Sequence, residues 1–186
     1  MRSAGLERPA WGRGRRAFLG GAAAALALAP FGRLWARASE CRSLDLVHAH
    51  TGESLSCEYF RAGGYHLPTL DKVNHFLRDF RTGDVHPIDP RLLDILYAVR
   101  CTSGCDAPFQ VVSGYRSPHT NALLRRFSRG VAEHSLHMEG RAIDVRVDGF
   151  PTGQLHTIGL SLRRGGVGYY PASDFVHLDT GRVRFW

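Results

Sequence analysis

The sequence predicts an α+β domain in which a mainly antiparallel sheet is flanked by helices. Two kinds of pattern alternate along the chain. In one, apolar residues recur at helical spacing after a proline; in the other, apolar and polar residues alternate as in a strand. The strand-like runs occur mostly in pairs joined by turn residues, which is typical of hairpins. Helices mixed with hairpins indicate the α+β class.

The first strands and the first helix are predicted from residues 44–83. Residues 44–49 and 54–60 alternate on either side of a polar turn and predict a hairpin. A helix is predicted to begin at Pro68 and to stop at Gly83. Its apolar stripe consists of Leu70, Val73, Leu77 and Phe80.

Two further helices are predicted around a short apolar strand. Asp89 followed by Pro90 is an N-cap and a first helical residue, so a helix begins there. Residues 109–113 predict a strand. Ser117 repeats the capping pattern, and a third helix runs from Pro118 to about Phe127.

The second half of the domain is predicted to end in a hairpin. Residues 130–139 carry few periodic signals and predict a loop, and residues 142–147 alternate as a strand. A fourth helix is predicted at 151–162. Residues 167–170 and 175–180 predict two strands joined by a turn, beside strand 142–147.

Three side chains in this half have the chemistry of a metal site. His137 lies in the predicted loop, Asp144 on the polar side of its strand, and His177 on the return strand. Two imidazoles and a carboxylate with an open fourth position are typical of catalytic zinc. Seven residues of strand span about 23 Å, so His137 and Asp144 meet only if Gly140 lets the chain reverse.

Each of these residues also has a structural interpretation. His137 could be a loop histidine, and His177 could be a partly buried histidine with a satisfied hydrogen bond. Asp144 could pair with Arg141 or Arg146 at the surface, where an ion pair contributes little. The residues alone leave both interpretations open.

The first 38 residues predict an export signal. Arg13, Arg15 and Arg16 precede a short apolar run at residues 20–29, and Ala36-Arg37-Ala38 fits a cleavage site. The run is shorter than the ~20 residues that span a bilayer. The paired arginines favour the twin-arginine route, and an ordinary secretory signal or a retained anchor is the alternative. Residues 39–186 are then expected to form a single domain.

Most of the positive charge belongs to this predicted signal. The formal net charge is +7, and residues 1–38 contain seven arginines and one glutamate. The rest of the chain therefore has 17 basic and 16 acidic side chains. A nearly neutral domain does not favour nucleic acid as a partner.

Four cysteines follow the signal, namely Cys41, Cys57, Cys101 and Cys105. An even number in an exported protein favours disulfides. If they are bonded, closeness in sequence favours Cys101 with Cys105 and Cys41 with Cys57. A cysteine zinc site is less favoured, because the Cys-x3-Cys spacing has no matching second pair.

The candidate metal residues occur in motifs that resemble a known family. Ser135-x-His137-x2-Gly140-x-Ala142-x-Asp144, followed by Asp174-x-x-His177, resembles the motif pair of the zinc D-Ala-D-Ala peptidases, whose fold is shared with hedgehog signalling domains. The chain after the signal is more closely similar to the twin-arginine-exported murein endopeptidases of Gram-negative bacteria. The closer similarity is carried by His50-Thr51-Gly52-Glu53, Ser113-Gly114-Tyr115-Arg116-Ser117, Gly165-Gly166-Val167-Gly168-Tyr169-Tyr170-Pro171 and Phe175-Val176-His177-Leu178-Asp179-Thr180-Gly181.

The resemblance implies roles for individual residues. It makes His137, Asp144 and His177 the zinc ligands, and it places Arg116 near the substrate carbonyl, where a fixed donor stabilises an oxyanion. Three tyrosines near these motifs either line the substrate groove or pack against the core: Tyr115, Tyr169 and Tyr170.

The general base is where the sequence departs from the family pattern. The wider family usually has glutamate three residues before the last histidine ligand, and here Asp174 takes that place, one methylene shorter. Asp174 is therefore the expected base. The other candidates are Glu133, His134, Glu139 and Asp179, and Asp179 could instead orient the imidazole of His177.

The resemblance implies a zinc-dependent periplasmic murein endopeptidase that hydrolyses peptide cross-links of peptidoglycan. Its expected partner is the peptide stem of peptidoglycan; membrane contact is expected only through an uncleaved signal, and a monomer is expected. Two alternatives remain open. One is a carboxypeptidase that trims the stems, and the other is a non-catalytic cell-wall binding domain, which is favoured by Asp174 in place of glutamate. The sequence does not specify the cross-link.

Overall fold

A computed structural model describes residues 41–128 and 130–186. The predicted export signal and its cleavage site after Ala38 lie outside the described residues. No helix within the described ranges is long and apolar enough to cross a membrane.

The described chain contains four α-helices and eight strands. The helices are α1 (Leu67–Phe76), α2 (Pro90–Ser103), α3 (Pro118–Phe127) and α4 (Thr152–Leu162). The strands are β1 (Arg42–His48), β2 (Ser54–Arg61), β3 (Gly64–Tyr65), β4 (Phe109–Ser113), β5 (Ala142–Val147), β6 (Gly166–Tyr170), β7 (Phe175–Asp179) and β8 (Arg184–Phe185).

All eight strands belong to one sheet, in the order β3-β2-β1-β4-β5-β7-β6-β8. The predicted α+β class with a mainly antiparallel sheet is confirmed, but the sheet is mixed. β1 pairs with β4 in parallel, and β6 pairs with β8 in parallel. A parallel pair needs a long crossover; α1 and α2 supply it between β1 and β4.

The predicted starts of α2 and α3 are confirmed by their caps. The Asp89 carboxylate accepts a hydrogen bond from the backbone N–H of Arg91, and the Ser117 hydroxyl accepts one from the N–H of Thr120. These bonds satisfy N–H groups that have no partner within the helix. Helix α2 contributes several fully buried side chains to the core: Leu92, Leu93, Leu96 and Val99.

Helix α1 is shorter than predicted, because it ends at Phe76 rather than near Gly83. The carbonyl of Leu77 accepts a hydrogen bond from the N–H of Tyr115 at 2.7 Å, and the carboxylate of Asp79 accepts two from the residue that caps α3. Contacts with a distant segment therefore end the helix, although the apolar spacing continues beyond it.

All four cysteines are free thiols in the structure, so the expected disulfides are not present. The register explains this for Cys41 and Cys57. Cys57 lies opposite Leu44, whereas Cys41 precedes β1. Three residues of strand span about 10 Å, which exceeds the Cα separation of about 4.4–6.8 Å that a disulfide bridges.

Candidate metal centre

Three buried ligand atoms converge in the structure, and they belong to the three predicted residues. His177 Nδ1 lies 2.8 Å from Asp144 Oδ1. His137 Nε2 lies 3.2 Å from both of these atoms. The prediction that these residues come together is therefore confirmed; that they hold an ion stays a prediction.

Strand pairing brings Asp144 and His177 together. Strands β5 and β7 are antiparallel neighbours in the middle of the sheet, and Asp144 lies directly opposite His177. Residues at paired positions project from the same face of a sheet. Because the neighbouring positions Ile143 and Leu178 are buried in the core on the other face, the register of these ligands is fixed by packing.

A reversal at Gly140 brings His137 to the same point. Residues Leu136–Glu139 form a short 3₁₀ helix, which the sequence predicted only as loop. It ends at Gly140 with φ of 65° and ψ of 25°, a left-handed conformation that favours glycine. A side chain at Gly140 would also collide with the carbonyl oxygen of Pro87.

The hydrogen bonds of the two histidines leave a lone pair on each inner nitrogen. His137 Nδ1–H donates to the carbonyl oxygen of Gly114 at 2.7 Å. His177 Nε2–H donates to Asp179 Oδ2 at 3.2 Å. With both imidazoles neutral, the inner nitrogens and Asp144 Oδ1 are three acceptors around one point, an arrangement that attracts a positive charge.

The separations of these atoms fit zinc. Ligand atoms bound at about 2.0–2.1 Å to a tetrahedral ion are about 3.3 Å apart, close to the 2.8–3.2 Å found between the three. Two imidazoles and one carboxylate are also the ligand types that catalytic zinc sites use. The residues present therefore fit a zinc ion.

The electrostatics of the cluster support the same interpretation. Burial alone would raise the pKa of Asp144, but the two imidazoles outweigh burial and hold this pKa far below its usual range. Burial lowers the pKa of His137. At His177 burial also acts to lower the pKa, but hydrogen bonds to Asp144 and Asp179 overcome it and raise this pKa. The cluster thus attracts one positive charge, for which a proton and a metal ion compete.

The three ligand residues line a cavity of about 400 Å³, a size typical of ligand sites. Its aromatic lining comes from Tyr170, Phe175 and Trp186. The rings of Tyr170 and Phe175 stack with centroids 4.6 Å apart, and the Trp186 indole N–H donates to the Tyr170 hydroxyl at 2.8 Å. The cavity therefore has a preformed apolar surface beside the ligands.

Arg116 also lines this cavity. Its side chain is only 11% exposed, and its Nη2 lies 3.3 Å from Ser113 Oγ and 3.5 Å from Asp144 Oδ2. Its Nε is buried and has no acceptor among the described residues. The guanidinium is thus held beside the ligand cluster with hydrogen-bond capacity left over.

Asp174 is not brought into the cluster. Its side chain is exposed and accepts a hydrogen bond from the Thr152 hydroxyl at 2.8 Å, and its backbone has φ of 50°. The left-handed turn that begins β7 directs this carboxylate to the start of α4. Asp174 does not line the cavity, although its neighbours Ser173 and Phe175 do.

Of the other base candidates, only His134 lines the cavity. Glu133 pairs with Arg125, and Glu139 pairs with Arg141. The carboxylate of Asp179 is fully buried and hydrogen-bonded to His177. The exposed imidazole of His134 has no hydrogen bond or ion pair with the described residues.

Two lining residues, Arg184 and Trp186, were not predicted from the sequence. Strand β8 brings them to the site through its parallel pairing with β6. The glycines of β6 are a signal that could have found them, because a Cβ at Gly168 would come within 2.6 Å of the Trp186 indole. Of the three tyrosines considered, Tyr170 alone lines the cavity; Tyr115 stacks on His86 and Tyr169 on His156.

The chain is similar to known proteins over most of its length. The sequence model of the family described as "Peptidoglycan L,D-endopeptidase MepK" matches residues 36–186. The chain is 48% identical to the peptidoglycan L,D-endopeptidase MepK of Escherichia coli K12 over 145 residues, 78% of this chain and 80% of that protein. It is 46% identical to a probable peptidoglycan L,D-endopeptidase MepK of Haemophilus influenzae over 146 residues, 78% of each chain.

Proposed function

The chain belongs to the peptidoglycan L,D-endopeptidase MepK family of peptidases, and from this membership we propose that it hydrolyses L,D peptide cross-links of peptidoglycan. It is a peptidoglycan endopeptidase of a zinc metallopeptidase family. The observation that carries the proposal is the convergence of His137 Nε2, Asp144 Oδ1 and His177 Nδ1 inside a cavity that Arg116 also lines.

The proposed metal is zinc, held by His137, Asp144 and His177. When bound in such a site, zinc acts as a Lewis acid on a carbonyl group and makes water nucleophilic near neutral pH. The protein's contribution is to keep both imidazoles in the correct tautomer. The carbonyl oxygen of Gly114 does this for His137 by accepting its Nδ1–H, and the Nε2–H of His177 has a carboxylate acceptor.

Arg116 is proposed to bind the carbonyl oxygen of the scissile peptide. Its Nη2 contacts with Ser113 and Asp144 fix the guanidinium, and the side chain lines the cavity in which the carbonyl oxygen would lie. A donor fixed before the reaction stabilises the charge that develops on this oxygen without reorganising. The low exposure of the side chain strengthens that interaction.

His134 is proposed as the proton carrier in place of Asp174. An attacking water must lose a proton, and the leaving amine must gain one. A histidine side chain can do both near neutral pH, and His134 lines the cavity without a competing hydrogen bond from the described residues. The hydrogen bond from Thr152 to Asp174 supports a structural role for that carboxylate.

Several features of the biology are proposed from the sequence. An enzyme that acts on peptidoglycan works outside the cytoplasm, and we assign residues 1–38 to a cleaved twin-arginine signal that exports residues 39–186 to the periplasm as one domain. The proposed substrate is the peptide stem of peptidoglycan. The protein is proposed to act as a monomer, without nucleic acid and with membrane contact only through an uncleaved signal.

Digestion of defined muropeptides tests the function. Purified protein is incubated with L,D-linked and with D,D-linked muropeptide dimers, with zinc, with a chelator, and with zinc restored. We expect L,D-linked dimers to become monomers only when zinc is present, while D,D-linked dimers stay intact. Release of single terminal amino acids would indicate a carboxypeptidase. Binding of zinc-loaded protein without cleavage would indicate a non-catalytic domain, and either result would contradict the proposal.

A matched pair of histidine variants completes this experiment. His137→Ala removes a proposed ligand and should abolish cleavage. His119→Ala changes an exposed histidine of α3 that does not line the cavity, so cleavage should persist. Equal activity of the two variants would contradict the assignment of the cluster as the active centre.

A further inference from the structure

Asp179 and Arg184 form an ion pair directly behind the proposed ligand His177. Asp179 is completely buried. Arg184 Nη2 lies 2.7 Å from Asp179 Oδ2, and Arg184 Nη1 lies 3.1 Å from Asp179 Oδ1, so the pair is bidentate. The same Oδ2 accepts the Nε2–H of His177 at 3.2 Å. The carboxylate thus joins an arginine on β8 to the imidazole on β7.

Backbone donors fix the remaining lone pairs of Asp179. Its Oδ1 accepts the N–H of Gly166 at 2.9 Å and the N–H of Gly181 at 2.8 Å. A buried carboxylate is tolerated when its acceptors are satisfied and its charge is paired. With these bonds in place, Asp179 has one orientation, and so does the imidazole that donates to it.

The first glycine of β6 and the glycine before it make room for this pair. A Cβ at Gly166 would collide with Asp179 Oδ2 and Arg184 Nη1, and a Cβ at Gly165 would collide with the backbone carbonyl of Asp179. Gly166 does not have a positive φ. Glycine is therefore required there by the space that the ion pair occupies and not by the backbone conformation.

We propose that Asp179, held by Arg184 in the space left by Gly166, is the positioning residue that sets the tautomer and orientation of His177 for metal binding. The hydrogen bond to Asp179 keeps the proton on Nε2 and directs the Nδ1 lone pair toward Asp144 Oδ1 and His137 Nε2. Mutation of a residue that hydrogen-bonds to a metal ligand typically weakens metal affinity about 10–100-fold. The inference rests on the proposed function, since it concerns the same zinc.

Two variants test the pair in different ways. Asp179→Asn keeps one oxygen, which the N–H groups of Gly166 and Gly181 hold, so that an amide NH₂ faces His177 Nε2–H and cannot accept from it. Gly166→Ala leaves every charge in place, but its Cβ displaces the carboxylate of Asp179 and the guanidinium of Arg184. The matched control for the second is Gly64→Ala, because a Cβ at Gly64 would meet nothing within 4 Å and its φ is not positive.

The measurements are the zinc dissociation constant by chelator competition and the visible absorption spectrum of the cobalt(II)-substituted protein. We expect both test variants to bind zinc about 10–100-fold more weakly than the unaltered protein and to show a changed cobalt spectrum, which reports ligand geometry. Gly64→Ala should match the unaltered protein in both. Circular dichroism shows whether each variant is folded.

The possible results separate this inference from the proposed function. If the unaltered protein binds zinc and cleaves its substrate, and both test variants keep its zinc affinity and cobalt spectrum, the positioning role is overturned and the function stands. If zinc affinity falls in both variants but the unaltered protein does not cleave, the positioning role stands and the function falls. An unaltered protein without zinc affinity overturns both.

Discussion

Asp144 and His177 lie opposite each other on adjacent strands, with His177 Nδ1 2.8 Å from Asp144 Oδ1. Both side chains are buried, and their neighbours on the other face of the sheet belong to the core. Two of the three proposed ligands thus lie on paired strands whose opposite face packs in the core. The third, His137, is oriented toward these two by the hydrogen bond that its Nδ1–H donates to the carbonyl oxygen of Gly114.

Removal of any one ligand should remove zinc without unfolding the protein. We expect Asp144→Ala and His177→Ala to weaken zinc binding by more than about 100-fold, since losing a ligand should cost at least as much as losing a residue behind it. Hydrolysis should be lost with the metal. Zinc content after dialysis and cleavage of L,D-linked dimers are the measurements. A variant that keeps both full zinc content and activity would show that its residue is not a ligand.

Replacement of Arg116 should lower turnover while zinc remains bound. Arg116→Gln removes the proposed donor to the carbonyl oxygen, and loss of such a donor typically lowers kcat about 10²–10³-fold. KM should change little, because the oxygen carries its charge only in the transition state. The kcat of Arg116→Lys should lie between those of Arg116→Gln and the unaltered protein, since an ammonium group keeps the charge but does not reproduce the planar guanidinium.

The control for Arg116 is Arg126→Gln, which changes an exposed arginine on α3 that does not line the cavity. Its kcat should equal that of the unaltered protein. Zinc content must be measured for every variant, because Arg116 also contacts Asp144. If Arg116→Gln keeps its zinc and its kcat, Arg116 does not stabilise the reaction.

Replacement of His134 should affect the reaction more strongly than replacement of Asp174. We expect His134→Ala to lower kcat about 10²–10⁴-fold, the usual contribution of a general acid–base group. Asp174→Ala removes a single exposed hydrogen bond with Thr152, worth about 1 kcal/mol of stability, and should leave kcat unchanged. Steady-state kinetics of both variants and the pH profile of kcat provide the comparison. The reverse ranking would restore Asp174 as the base.

The ligand cluster could be predicted because local patterns determine most of it. Alternation on β5 and β7 places Asp144 and His177 on the polar faces of neighbouring strands, and Gly140 marks the reversal that His137 needs. The hairpin between β6 and β7 is formed by adjacent segments, so sequence order already predicts their pairing. The alternation, the reversal and the hairpin depend on short-range rules, whereas the pairing of β5 with β7 joins Asp144 to a residue 33 positions away.

The parts that were missed depend on contacts between distant segments. Strand β8 has two residues, too few for an alternation pattern, yet it brings Arg184 to Asp179. The end of α1 is set by a hydrogen bond from Tyr115. The direction of Asp174 follows from a left-handed turn at a residue other than glycine, which sequence patterns do not predict.

Asp79 should stabilise the fold in a pH-dependent way. Its buried carboxylate accepts hydrogen bonds from the N–H and hydroxyl of Ser117 and from the N–H of Arg81. Burial alone would raise the pKa of Asp79, but these bonds outweigh burial and lower it. Because the folded pKa lies below the unfolded one, the stabilisation is fully present above about pH 4 and is lost as the pH falls through the folded pKa.

Asp79→Asn should therefore lower the free energy of unfolding by about 1–3 kcal/mol at pH 7, because one acceptor of a buried group is lost. The difference from the unaltered protein should shrink when unfolding is measured near pH 3, because the unfolded carboxyl then binds a proton and the unfolded state is favoured. Urea denaturation at both pH values measures this. Asp71→Asn, at an exposed position of α1, is the control and should leave stability unchanged at either pH. A loss of the same size at pH 7 and pH 3 would show that the charge of Asp79 does not stabilise the junction of α1 and α3.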